Sequence, residues 1–191
     1  MPAALPRSTP RALATRRRIQ EVALRLIEER GFDATTVADV AAAAGVSHMT
    51  FFRHFPTKED VVLDDPYDPM LAQAVAAQPA GLPPLERVRR GLLGTVAAVD
   101  SDDFDRESRQ RLRLAAQTPA LRARIWENMA RTQRTVVDVL VERGVGANTA
   151  EAAVGACLGA VTSALLHWGH DGPGGPSLAD ALTDALEVLR P

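Results

Sequence analysis

A single cysteine, Cys157, stands in 191 residues, so no intrachain disulfide and no cysteine-based metal cluster can form; this suits a reducing compartment. Aromatic residues are scarce at 4% of the chain, and no segment shows sustained Val, Ile and Thr alternation, which argues against sheet. Ala and Leu are abundant instead, and with 46% apolar residues the chain can bury a core; the fold expected is all-α. No long apolar run is present. The charge-free stretch Ala152 to Leu166 falls short of the ~18 residues a membrane span needs, and "MPAALPRSTP" has no apolar core of a secretory signal. A cytoplasmic protein with no membrane partner is expected. Also missing are a nucleophile elbow, a Gly-rich phosphate loop after a strand and a paired His/carboxylate helix motif, so no catalytic residue, metal site or cofactor is assigned.

Acidic residues are absent from the first twenty positions, which carry Arg7, Arg11, Arg16, Arg17 and Arg18. Residues 61 to 191 hold 13 basic and 17 acidic side chains. A net charge of −2 therefore conceals a basic N-terminus, the end suited to a polyanion.

The organisation follows from breakers and caps. A flexible arm over residues 1–12 precedes a helix from about Leu13 to Arg30, with apolar Ile19, Ala23, Leu26 and Ile27 at helical spacing and Gly31 at the stop. Thr35 or Thr36 caps "VADVAAAA", where Asp39 lies three residues past Thr36. Gly45 breaks this helix, Ser47 caps a third that ends before Pro56, and Thr57 caps a fourth. Residues 13–63 thus form one compact unit, with 64–191 as a second, larger helical body. Prolines from 66 to 84 make the start of that body a broken helix. Further helices are expected near 85–99, 104–117, 120–143, 150–169 and 178–189, with "GHDGPGGPS" separating the last two.

In "AAAAGVSHMTFFRHF", small residues and a glycine give way to Phe51, Phe52 and Phe55. Ala41 permits a close helix crossing, Val40 and Val46 flank the turn, and the spacing is that of a helix-turn-helix, whose second helix meets the DNA major groove. Phe51 and Phe55, four apart, share a face that packs inward. Ser47, His48, Met49, Thr50 and Arg53 are left for the outer side. His48 and His54 have no carboxylate or cysteine at ligand spacing, which disfavours a metal.

The segment "TTVADVAAAAGVSHMTFFRHFPTKEDVV" resembles the DNA-binding domain of the tetracycline-repressor (TetR) family. The resemblance implies a homodimer on a palindromic double-stranded operator and a helical C-terminal domain that dimerises and holds an inducer. It also implies phosphate contacts from Thr36, His54 and Lys58; many members carry tyrosine where this chain has Phe52, which cannot make the hydroxyl contact. The stretches "RLRLAAQTPALRARIWENMARTQRTVVDVLVERG" and "ALLHWGHDG" are similar to the branch typified by the mycofactocin-system regulator, which implies an acyl-coenzyme A inducer.

Residue chemistry leaves the ligand open. Arg106, Arg109 and Arg113 form a stripe that could hold phosphates, with Arg122 and Arg124 close behind, or could pair with Asp102, Asp103 and Glu107 on a solvated face. Leu112, Ile125, Trp126, Met129 and Trp168 could line an acyl cavity or simply be core. Arg16, Arg17 and Arg18 suit either a solvated helix start or phosphate contact. The small-residue ridge Ala152, Ala156, Ala160 and Ser163, on a nearly charge-free helix, is expected at the dimer interface, with Cys157 an inert buried thiol. The expected protein is a ligand-responsive regulator of transcription, a repressor rather than an enzyme. A sensor of aromatic cations, an architectural DNA-binding protein and a helical enzyme are the alternatives.

Overall fold

The computed structural model describes residues 9–63, 68–98, 102–170 and 175–190. The described residues form ten helices and no strand, so the chain is all-α. It divides into two compact units, Met1–Asp64 and Asp65–Pro191. The first eight residues of the arm lie outside the described part, as do 171–174 of the "GHDGPGGPS" loop.

The first unit holds α1 (Pro10–Arg30), α2 (Val37–Ala43), α3 (His48–His54) and α4 (Lys58–Leu63). α1 begins three residues before Leu13 because Thr9 is its cap, accepting from the Ala12 amide, and Pro10 fills the first turn, where a missing N–H costs nothing. Gly31 ends it at φ 87°, a left-handed value that favours glycine. The two threonines that follow have separate tasks. Thr35 is buried and donates its hydroxyl to Leu26 and Gly31 carbonyls at the α1 terminus; Thr36 forms a reciprocal capping box with Asp39 at the start of α2. Gly45, at φ 62°, turns the chain from α2 to α3. Ser47 caps α3 through the Thr50 amide, and Thr57 exchanges bonds with Asp60 to start α4. Ile19, Ala23, Leu26, Val40, Ala41, Phe51, Phe55 and Val61 make the core of this unit. The four helices expected from the caps are all present.

The second unit holds α5 (Asp68–Ala76), α6 (Pro84–Ala97), α7 (Asp102–Gln117), α8 (Pro119–Glu142), α9 (Ala147–Trp168) and α10 (Leu178–Glu187). Three of these helices carry proline in the first turn, Pro69, Pro84 and Pro119, the position where proline is tolerated. The segment expected to be a broken helix is thus a nine-residue helix, α5, joined to α6 by a turn. α9 packs on α6, α7, α8 and α10, and Val154, Cys157, Leu158 and Val161 centre the core with Val88, Val136, Leu140 and Leu186. Including residues that flank the charge-free run, α9 reaches 22 residues and is long and apolar enough to cross a membrane, with 39% of its apolar window buried inside the protein.

Two close approaches fix this unit. A Cβ at Gly91 would lie 2.5 Å from Val75 Cγ2, so α5 presses directly on α6. A Cβ at Gly169 would lie 2.9 Å from the Leu112 carbonyl carbon, so the end of α9 abuts α7.

Candidate functional site

The outer face of α3 is built by the burial of its inner one. Phe51 and Phe55 are fully buried, and their four-residue spacing leaves the intervening side chains outside. Met49 is 79% exposed, and Arg53 and His48 are also at the surface. Phe52 divides from its neighbours: it is 39% exposed and meets the His48 ring edge-on at 4.8 Å, which holds that imidazole against the helix. Ser47 Oγ and Thr50 Oγ1 lie 2.9 Å apart, so these hydroxyls bind each other and the helix start. The groups left on the outer face are His48, Met49 and Arg53, a mixture of donors and an apolar tip suited to base edges.

Several residues hold this face in place. Arg16 donates to the His54 carbonyl at the end of α3, and its guanidinium lies 4.2 Å over the Phe55 ring. It thus faces inward, whereas Arg17 and Arg18 are exposed. Gln20 donates to the Val61 carbonyl at 3.0 Å, tying α1 to α4. Sequence reasoning gave Gln20 no role, although it lies one helical turn beyond Arg16 on the same face.

Lys58 is turned toward its own chain. Its Nζ donates to the carbonyls of Phe32 at 2.8 Å and Thr35 at 3.1 Å and stands 4.0 Å from the Phe32 ring centroid. The ammonium therefore closes the α1–α2 loop. The Thr36 hydroxyl is likewise engaged, 2.6 Å from Asp39 Oδ2, and that bond with the Thr36 amide lowers the Asp39 pKa. Partial burial, then the nearby Arg53 and Arg16, lower the His54 pKa below its usual 6.5.

In the second unit the proposed ligand residues separate. Arg109 stacks 3.8 Å over the Trp168 ring and donates to the carbonyls of Trp168 at 3.3 Å and Pro176 at 3.1 Å. Its partners are structural ones. Arg106 and Arg113, on the same helix, are exposed; the side chains of Asp102, Asp103 and Glu107 lie outside the described residues. Trp168 is 1% exposed and donates from its indole to Pro176 at 2.8 Å. Leu112 and Met129 pack on the same core, and Ile125 is buried. Trp126 does not join them, at 58% exposed. Of the small-residue ridge, Ala152, Ala156 and Ser163 are exposed and Ala160 is half-buried, opposite the face that α9 buries.

Sequence reasoning gave the charged groups of α6 no role. Glu86 receives Arg89 through both carboxylate oxygens, at 2.7 and 3.0 Å, and Arg90 at 2.5 Å, which together pull its pKa to about 2. Arg89 also reaches Glu187 on α10 at 2.7 Å. Arg87, between them, is buried and has no such partner: its Nε and Nη2 make no hydrogen bond. Asp105 accepts the Leu178 amide at the start of α10. No group of His, Cys, Asp and Glu among the described residues is placed to hold a metal.

Residues 19–64 match the sequence model of bacterial regulatory proteins of the tetR family, and residues 82–191 match that of the MftR C-terminal domain. The chain is 32% identical to the HTH-type transcriptional regulator CymR of Pseudomonas putida, over 74% of this chain and 72% of CymR. It is 28% identical to MftR of Mycobacterium tuberculosis, named for regulation of mycofactocin biosynthesis, over 94% of this chain and 91% of MftR. Among solved structures it is similar to Thermus thermophilus FadR, a TetR-family repressor crystallised with lauroyl-CoA, at 27% identity and a TM-score of 0.50, covering 91% and 92% of the two chains.

Proposed function

The chain belongs to the tetR family of bacterial regulatory proteins and is a DNA-binding regulator of transcription, and from this premise we propose that it is a homodimeric repressor released from a palindromic operator by an acyl-CoA-like ligand. The outer face of α3 carries the reading: burial of Phe51 and Phe55 presents His48, Met49 and Arg53 together. Those three read base edges. His54, exposed Arg17 and exposed Arg18 meet phosphates. Thr36 and Lys58 act through the loop they hold, because their polar atoms are engaged there.

The ligand class draws support from FadR, whose crystal holds lauroyl-CoA, and from charge. Among the described residues the buried charged side chains are Arg87 and Arg89, and no carboxylate is buried. A sensor of aromatic cations needs the reverse. Arg106 and Arg113 lie at the surface of α7, while Arg109 stacks on Trp168. Dimerisation uses the exposed small-residue ridge of α9, where Ala152 and Ala156 allow a partner helix to approach closely. A regulator of this kind works on chromosomal DNA in the cytoplasm.

Two measurements test the reading. Titration of the full-length protein with operator and scrambled duplexes in lauroyl-CoA is expected to show specific binding that the ester abolishes; binding indifferent to sequence, or to every ligand, refutes it. Sedimentation of Ala156→Arg is expected to give monomer, because the substitution buries an unpaired charge; an undisturbed dimer removes the interface from α9.

A further inference from the structure

Arg87 is an arginine whose hydrogen-bonding edge is unfilled inside a protein core. It is 1% exposed, and its Nε and Nη2 are buried without a partner. These two atoms lie along one edge of the planar guanidinium, with parallel N–H bonds that match the two oxygens of a carboxylate or phosphate. Arg89, two residues along α6, shows what fills such an edge: its Nε and Nη2 hold the two Glu86 oxygens at 2.7 and 3.0 Å. Arg87 offers the same fork to nothing in this chain.

A buried charge left unpaired is strongly destabilising unless a partner arrives. A neighbouring protein molecule cannot supply one, since so little of Arg87 reaches the surface. Leaving the core would require repacking of α6, because Val88 beside it is fully buried and Gly91, one turn on, is pressed against Val75 of α5. The partner that remains is an anionic group carried in by a ligand.

We propose that Arg87 is the anion anchor of the ligand site, taking a carboxylate or phosphoryl group of the effector through Nε and Nη2. The inference rests on the ligand-released reading above and sharpens it. The effector is an amphiphile with an anionic head, and the head goes to α6 in the core rather than to the arginine stripe on α7.

Calorimetry and thermal denaturation of the full-length protein test this with four probes of one chain length: dodecanoate for a carboxylate, dodecyl phosphate for a phosphate, lauroyl-CoA for a phosphorylated ester, and neutral dodecanol. At least one anion is expected to bind wild type 30-fold or more tightly than dodecanol. Arg87→Met should erase that preference while leaving dodecanol affinity unchanged, and its ligand-free melting temperature should equal or exceed that of wild type. Arg87→Lys, which keeps the charge and loses the fork, should fall between.

Equal wild-type affinity for dodecanol and all three anions overturns the proposal, as does an anion bound equally by wild type and Arg87→Met, or no binding of any anion. If Arg87→Met fails to fold, the wild-type preference and the Arg87→Lys loss decide. These outcomes are separable from the regulator reading: an anion that binds through Arg87 but leaves operator binding intact refutes ligand release and keeps the anchor.

Discussion

Replacing Lys58 by methionine separates two ways in which a cation can matter to DNA binding. The substitution keeps the apolar stem against Phe32 and removes the donor from the carbonyls of Phe32 and Thr35. Two hydrogen bonds from a charged donor contribute about 1.5–3 kcal/mol each, and the ammonium over the ring adds about 0.5–1 kcal/mol. Lys58 is half-buried, so water reaches the freed carbonyls in the variant, and the net loss falls to roughly 2 kcal/mol, about 30-fold in the local opening equilibrium. Both tryptophans lie in the second unit, so their fluorescence does not report the loss. Amide hydrogen exchange does: Val40 bonds to the Thr36 carbonyl at the start of α2, and its exchange should accelerate by that factor. Affinity for cognate and scrambled duplexes should fall together, with the salt slope unchanged. A slope reduced by about 0.9 with unaltered exchange would refute the reasoning and make Lys58 a phosphate contact.

The core and the charges offer further checks. Phe51→Ala should destabilise the first unit by about 3–5 kcal/mol, read as early loss of far-ultraviolet circular dichroism and of operator binding. Glu86 is drawn from 4.5 to about 2 by bonds from Arg89 and Arg90; a lowered carboxylate pKa stabilises the fold above 4.5 and loses that contribution as pH falls toward 2. Urea denaturation of Glu86→Gln should therefore lose stability less steeply than wild type across that window, and parallel curves would show that the clamp contributes nothing. Burial raises the Cys157 thiol to about 11, so iodoacetamide at pH 8 should leave it unmodified by mass spectrometry until the protein unfolds. Arg109→Ala should redden and weaken the Trp168 emission, since the cation over the ring and its bonds to Trp168 and Pro176 carbonyls are lost together.

Features set by residues three or four apart were legible in the sequence. Thr36 with Asp39, Ser47 before α3 and the inward pair Phe51 and Phe55 all fall in this class, because their partners are one turn away. Helix starts shifted where another local signal competed: Thr9 and Pro10 drew α1 forward of Leu13. Roles decided by distant partners were not legible. Arg106, Arg109 and Arg113 are alike as a stripe, yet Arg109 is claimed by Trp168 and Pro176, 59 and 67 residues away. Trp126 and Trp168 are equivalent by composition and opposite in burial. In "ERVRR" helical spacing pairs Glu86 with Arg89 and Arg90, three and four residues on, and leaves Arg87 over; that Arg87 is buried is decided by the packing of distant helices.

That remainder connects the charge distribution to regulation. A ligand shifts an equilibrium only by its preference for one state over another, and moving a population from 1:99 to 99:1 takes about 10⁴-fold preference. Arg89 contributes nothing to such a preference as long as Glu86 and Glu187 hold it in both states. Arg87 differs, because the free energy of its buried charge changes when an anion occupies its open edge. Without that anion, any motion of α6 that admits water to the guanidinium is favoured; with it, the reason for the motion disappears. α6 packs on α5, α9 and α10, so a change in its mobility is felt by the helix that carries the proposed dimer ridge. Binding at Arg87 should accordingly slow amide exchange along α6 and α9 in wild type and not in Arg87→Met. An effector that slowed both alike would have to obtain its preference from apolar contacts alone.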